Sequence, residues 1–267
     1  MAFTCLLTQF YVILIQIIIS YNLWGDYMKT KKAVFFSFIL LTSAILSFYI
    51  FNLVNHANLT SGTLQAKKAE FTIIIDAGHG GADGGAVAAD GTAEKVINLQ
   101  ISQYLEKILN SYGVKTIMTR TTDDSIHTEG ADTLREKKVS DIHNRMAVME
   151  NTENAVFVSI HQNKFSNSTL WGTQVFYSPN TTESAELADL IQTNVRNMIQ
   201  PDNKRVIKKS GSSIYLLYNA KKTAVLVECG FVSNPEENEK LKMPDYQKKM
   251  AFSIACGIIE YLNTKVV

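Results

Sequence analysis

Residues 71–85 read FTIIIDAGHGGADGG, and the fold is decided here. The first six residues form a short, mostly apolar run that ends at Asp76 and meets a glycine-rich loop. That is the pattern of a strand covered on both faces. Working outward, residues 114–119, 155–160, 173–177 and 224–228 repeat it, and each is expected to be a buried strand. Between them, apolar residues recur at helical spacing. The sets are Ile97, Ile101, Leu105 and Ile108 before Gly113, then Ile142, Met146 and Met149, then Leu187, Ile191 and Val195 before Pro201. Pro244 and Asp245 open a last helix carrying Met250, Ile254 and Ile258. Alternating strands and helices predict a single α/β domain over residues 70–267, with a twisted, largely parallel sheet flanked by helices.

Ligands of such sheets sit at the carboxyl ends of the strands. Asp76 and His79 follow the first strand, His161 follows the 155–160 strand, Glu228 closes the 224–228 strand, and Glu94 opens the first helix at the same rim. Two imidazoles and a carboxylate, His79, Glu94 and His161, are the donors of a catalytic zinc site with one position left for water. Spacing alone leaves a plainer reading open, in which the histidines are structural and Glu94 favours its helix N-terminus. The loop 78–85 lacks the Gly-x-Gly-x-x-Gly register and any Gly-Lys-Ser/Thr, which argues against a phosphate cradle. The chain also has no Gly-x-Ser-x-Gly elbow.

The net charge is +1 and 46% of residues are apolar, which excludes a disordered chain and gives no electrostatic footprint of a nucleic-acid binder. The three cysteines, Cys5, Cys229 and Cys256, are too scattered for a disulfide framework or a zinc knuckle. Charge is unevenly spread, since only Asp26, Lys29, Lys31 and Lys32 are charged between residues 1 and 66. Residues 33–54 carry no charge and follow the three lysines, so 28–54 reads as an uncleaved signal-anchor that keeps its basic end inside. A cleavable signal peptide is the competing reading, opposed by the length of the apolar run and the poor cleavage site at 55–57. Residues 1–27 read as an over-long start or an extra apolar segment, and the polar stretch 55–69 as a linker.

Four segments then carry a resemblance. Residues 76–81 (DAGHGG), Glu94-Lys95 with Asn98-Leu99, residues 159–163 (SIHQN) and residues 227–234 (VECGFVSN) resemble, in order, the motifs of the amidase-3 family of zinc-dependent N-acetylmuramoyl-L-alanine amidases. The resemblance covers about residues 71–263. It implies that His79, Glu94 and His161 bind zinc, that Glu228 is the catalytic acid/base, and that the substrate is peptidoglycan. Asp76 and Asn163 read as groups that fix the loop and orient the histidines. Thr119-Arg120 and Arg145 match further family positions and are left outside the catalytic set as structural ion pairs. His127 and His143 are not read as ligands, and Cys229 reads as an inert core thiol. The polar stretch 121–140, with the short anchor, is similar to the sporulation-type members that trim spore-cortex peptidoglycan. It implies a body outside the cytoplasm, in the cell envelope or forespore intermembrane space, and leaves room for an activating envelope protein. The rival functions are a metal-dependent peptidase cutting within the stem peptide and a non-catalytic wall-binding protein.

Overall fold

The computed structural model describes residues 39, 41–52 and 70–265. The chain divides into two units, 1–60 and 61–267. In the first, residues 41–52 are helical, and Leu41, Phe48 and Phe51 are exposed. Among the described residues no helix is long and apolar enough to cross a membrane. The expected anchor falls only partly on described residues, and the segments 1–27 and 55–69 lie outside them.

The second unit is one α/β domain. Its strands are β1 (Thr72–Ala77), β2 (Lys115–Met118), β3 (Ala155–Asn163), β4 (Gln174–Tyr177), β5 (Lys208–Lys209) and β6 (Thr223–Phe231). Its helices are α1 (Glu94–Ser111), α2 (Leu134–Asn151), α3 (Thr182–Ile199), α4 (Tyr215–Asn219), α5 (Pro235–Lys242) and α6 (Pro244–Thr264). The sheet order is β2-β1-β3-β6-β4-β5. All pairs are parallel except β4 with β6. The exception follows from the chain path, because residues 164–173 join β3 to β4 without a helix, and a parallel return needs a longer crossover.

The apolar run of β1 is continuous because both faces are covered. Ile73 and Ile75 belong to one buried apolar cluster with Ile101 and Leu105 of α1, Ile191 of α3 and Ile254 of α6. Ile74 points the other way, onto Met149 of α2, Phe157 and Leu217 of α4. Each fully buried side chain of this size contributes about 1.5–3 kcal/mol. The expectation of a buried strand fails for β2, which is an edge strand with Lys115 exposed and its other residues half-buried.

The stretch 121–140 is also shorter as a loop than its polarity suggests, because Leu134 already begins α2. The cause is a capping box: Thr133 Oγ1 accepts from Glu136 N–H at 3.2 Å, and Glu136 Oε2 accepts from Thr133 N–H at 2.9 Å. The loop itself is tied to α2, with Ile126 N–H donating to Asp141 and Asn144 Nδ2 donating to the Ile126 carbonyl.

Candidate metal centre

The site grows out of the loop between β1 and α1. His79 adopts φ 61, a left-handed conformation that costs a non-glycine residue about 1–2 kcal/mol. Arg145 Nη2 holds that backbone by donating to the His79 carbonyl at 2.8 Å. The loop also caps α1, since the Glu94 and Lys95 amides donate to the carbonyls of Ala86 and Gly84. These are orphan helix-terminal donors, so satisfying them fixes Glu94 over the loop.

Glu94 Oε1 lies 2.8 Å from His79 Nε2 and 3.1 Å from His161 Nδ1. The ligating atoms of His79, Glu94 and His161 all fall within 4.8 Å of one another. The two rings meet edge-on with centroids 4.9 Å apart. Glu94 Oε2 accepts from Ala86 N–H at 2.8 Å, and Asn98 Nδ2 bridges the Gly78 carbonyl and Glu94 Oε1. Gln162 Nε2 in turn donates to Asn98 Oδ1 at 3.1 Å. Two glycines make the approach possible. A Cβ on Gly78 would collide with the His161 ring, and one on Gly85 would lie 2.6 Å from His79 Cδ2.

The electrostatics ask for a cation. Burial alone would raise the Glu94 carboxyl, but His161 and His79 outweigh it and hold it well below the usual range. Burial would lower His79, yet Asp83 and Glu94 raise it to about 9. A proton on His79 occupies the place that a metal ion takes when its ligands deprotonate to bind it. Two imidazoles and one carboxylate clustered at a strand rim, with His79 and Glu94 also bonded outward, fit a zinc ion.

Glu228 stands opposite His161 in the β3–β6 ladder, on a different element from each member of the trio. It is half-buried, and its Oε2 is a buried oxygen without a hydrogen-bond partner among the described residues. Burial pushes its carboxyl up to about 7, with Glu94 adding to the rise and the histidines opposing it. Such a group can hold or release a proton near neutrality. Cys229 next to it is fully buried, and burial pushes its thiol far up, which makes it a core residue.

Among the described residues neither the Asp76 nor the Asn163 side chain is hydrogen-bonded to either imidazole. Asp76 shares the parity of Ile74 on β1, so its carboxylate turns toward α2 and binds Thr119, Arg145 and Ser159. Asn163 lies beyond a β-bulge after His161, and its backbone carbonyl accepts from Val232 N–H. Arg120 is likewise a loop brace, donating to the carbonyls of Ala77, Gly78 and Lys95. Asp83 is the neighbour that sequence reading passed over. Its Oδ2 sits 2.8 Å from His79 Nδ1.

A family model described as N-acetylmuramoyl-L-alanine amidase matches residues 73–260, most of the chain. The chain belongs to the amidase-3 family. The amidase is 34% identical over 193 residues to the germination-specific N-acetylmuramoyl-L-alanine amidase of Bacillus subtilis, covering 72% of this chain and 80% of that one. A solved structure of the CwlD amidase from Clostridioides difficile, in complex with the GerS lipoprotein, superposes with a TM-score of 0.70 at 40% identity. That match covers 73% of this amidase and 99% of the CwlD chain. The AmiC2 amidase of Nostoc punctiforme matches with a TM-score of 0.62 at 30% identity, over 73% and 98% of the two chains. The family model, the curated relative and the solved structures agree on the fold and on the peptidoglycan amidase class.

Proposed function

We propose that this amidase uses a zinc ion to hydrolyse the amide joining the lactyl group of N-acetylmuramic acid to L-alanine, in peptidoglycan of the spore cortex. The observation that carries the reading is the convergence of His79, Glu94 and His161 beside the unpartnered carboxylate oxygen of Glu228. His79, Glu94 and His161 would hold the zinc ion, which would supply Lewis acidity toward the water and the scissile carbonyl. Glu228 takes the proton of the attacking water as the new C–O bond forms, then gives it to the L-alanine nitrogen as the C–N bond breaks. Asp76 and Asn163 support this chemistry through the backbone, the first by way of Arg145 and the His79 carbonyl.

The cortex assignment rests on likeness to the germination-specific amidase and to CwlD. The lipoprotein in the CwlD structure supports a comparable envelope partner here. Mass analysis of fragments from cortex and vegetative walls tests the whole reading. Intact stem peptides with a free L-alanine amino terminus, released faster from cortex, are expected. Cuts within the peptide would support a peptidase instead, and wall binding without release would support a non-catalytic protein.

The uncharged run 33–54 after Lys29, Lys31 and Lys32 supports an anchor that places the catalytic domain outside the cytoplasm. Protease added to intact protoplasts is then expected to remove the domain. Full protection would reject this topology.

A further inference from the structure

The geometry points to Asp83 as a positioning residue that sets the ring of His79 for metal binding, held in turn by Lys138 of α2. The inference rests on the zinc reading above. Its basis is a division of labour between the two carboxylate oxygens. Oδ1 accepts from Gly85 N–H at 3.1 Å and from Lys138 Nζ at 2.8 Å, which fixes the carboxylate in the loop. That leaves Oδ2 for His79 Nδ1 at 2.8 Å, while His79 Nε2 faces Glu94 on the other side of the ring. A carboxylate on Nδ1 keeps the proton there, so Nε2 presents its lone pair to a cation.

The placement is built into the backbone. Gly80 and Asp83 exchange two backbone hydrogen bonds of 3.0 Å, closing the loop so that the Asp83 side chain returns to the imidazole four residues earlier. Lys138, Asp141 and Arg145 lie at i, i+3 and i+7 and so share one face of α2. Arg145 grips the His79 carbonyl and Lys138 grips the group that holds its ring, so one helix face fixes both ends of the residue. A purely structural turn would need only the Oδ1 contact with Gly85.

The test uses the full chain, with zinc affinity measured by chelator competition, unfolding of the metal-free protein followed by heat, and histidine nitrogens labelled for NMR of the zinc-loaded protein. Asp83→Ala is expected to weaken zinc binding about 10- to 100-fold and to abolish the slowly exchanging His79 Nδ1–H signal. Asp83→Asn, whose single amide oxygen can accept from Gly85 or from the ring but not from both, and which loses the charge, is expected to fall between Asp83→Ala and the parent. Lys138 is half-exposed, so Lys138→Met is expected to weaken binding only about two- to fivefold and to keep the signal. Zinc affinity of Asp83→Ala within about twofold of the parent, or persistence of the Nδ1–H signal, overturns the inference. If Asp83→Ala does not fold, Asp83→Asn decides by the same two readouts. A parent that binds no zinc would instead sink the metal reading, which separates the two failures.

Discussion

Glu228→Gln is expected to slow stem-peptide release by about 10²–10⁴ while leaving the fold intact, the usual range for a lost general acid/base. The substitution keeps the shape of the side chain but removes the carboxylate that accepts a proton. The parent oxygen Oε2 has no hydrogen-bond partner among the described residues, so no hydrogen bond of that oxygen is lost with its charge. Burial already disfavours ionised Glu228, and an amide at this position is neutral, so thermal stability should hold or rise slightly. The check is the initial rate of free L-alanine amino termini released from purified walls, with thermal unfolding of the same preparation. Near-parental release would remove Glu228 from the reaction.

Arg145→Met is expected to cost about 3–5 kcal/mol at neutral pH, the range for breaking a buried charge pair from one side. Arg145 is buried and donates to Asp76 Oδ1, Asp141 Oδ2 and the carbonyls of Ala77 and His79. Against a total stability of roughly 5–15 kcal/mol, that is a large fraction. Burial would raise the Asp76 carboxyl, but Arg145 and Ser159 outweigh it and hold the group below its ordinary 3.8. A depressed carboxyl contributes stability that is complete above its unfolded pKa and is lost as pH falls toward the folded value. In the variant Asp76 loses the Arg145 guanidinium and burial favours its neutral form, so acid takes little from it. The gap between parent and variant should therefore narrow below about pH 4. Urea unfolding at neutral and acid pH measures both effects. A neutral-pH loss under about 1 kcal/mol would show that the Asp76–Arg145 pair is not what holds this corner.

The alternation of strands and helices was readable because β1, β3 and β6 are covered on both faces, which forces short unbroken apolar runs. The rim position of His79, Glu94, His161 and Glu228 then follows from topology, because the parallel strands β1, β3 and β6 run toward one edge. Other features needed coordinates. β5 is only Lys208–Lys209, too short for any periodicity. The antiparallel sense of β4 depends on the path of residues 164–173, not on the pattern within the strand. Two helix starts are written in the sequence itself. Thr133 with Glu136 forms the capping box of α2, and Asn234 before Pro235 caps α5, with Asn234 Oδ1 accepting from Glu237 N–H. Arg145 and Asp83 were the hardest to read. The partner of Arg145, Asp76, lies on a different element far away in the chain, and Asp83 reaches His79 only because Gly80 and Gly81 reverse the backbone with φ 141 and 55.

Bound zinc and released peptide, measured in the same samples of parent, Glu228→Gln and His161→Ala, test most directly the claim that metal binding and proton transfer reside in separate side chains. The account predicts one zinc per chain in the parent and in Glu228→Gln, with release slowed about 10²–10⁴ in Glu228→Gln, and neither zinc nor release in His161→Ala. Parental zinc content in His161→Ala, or loss of zinc from Glu228→Gln, would contradict it.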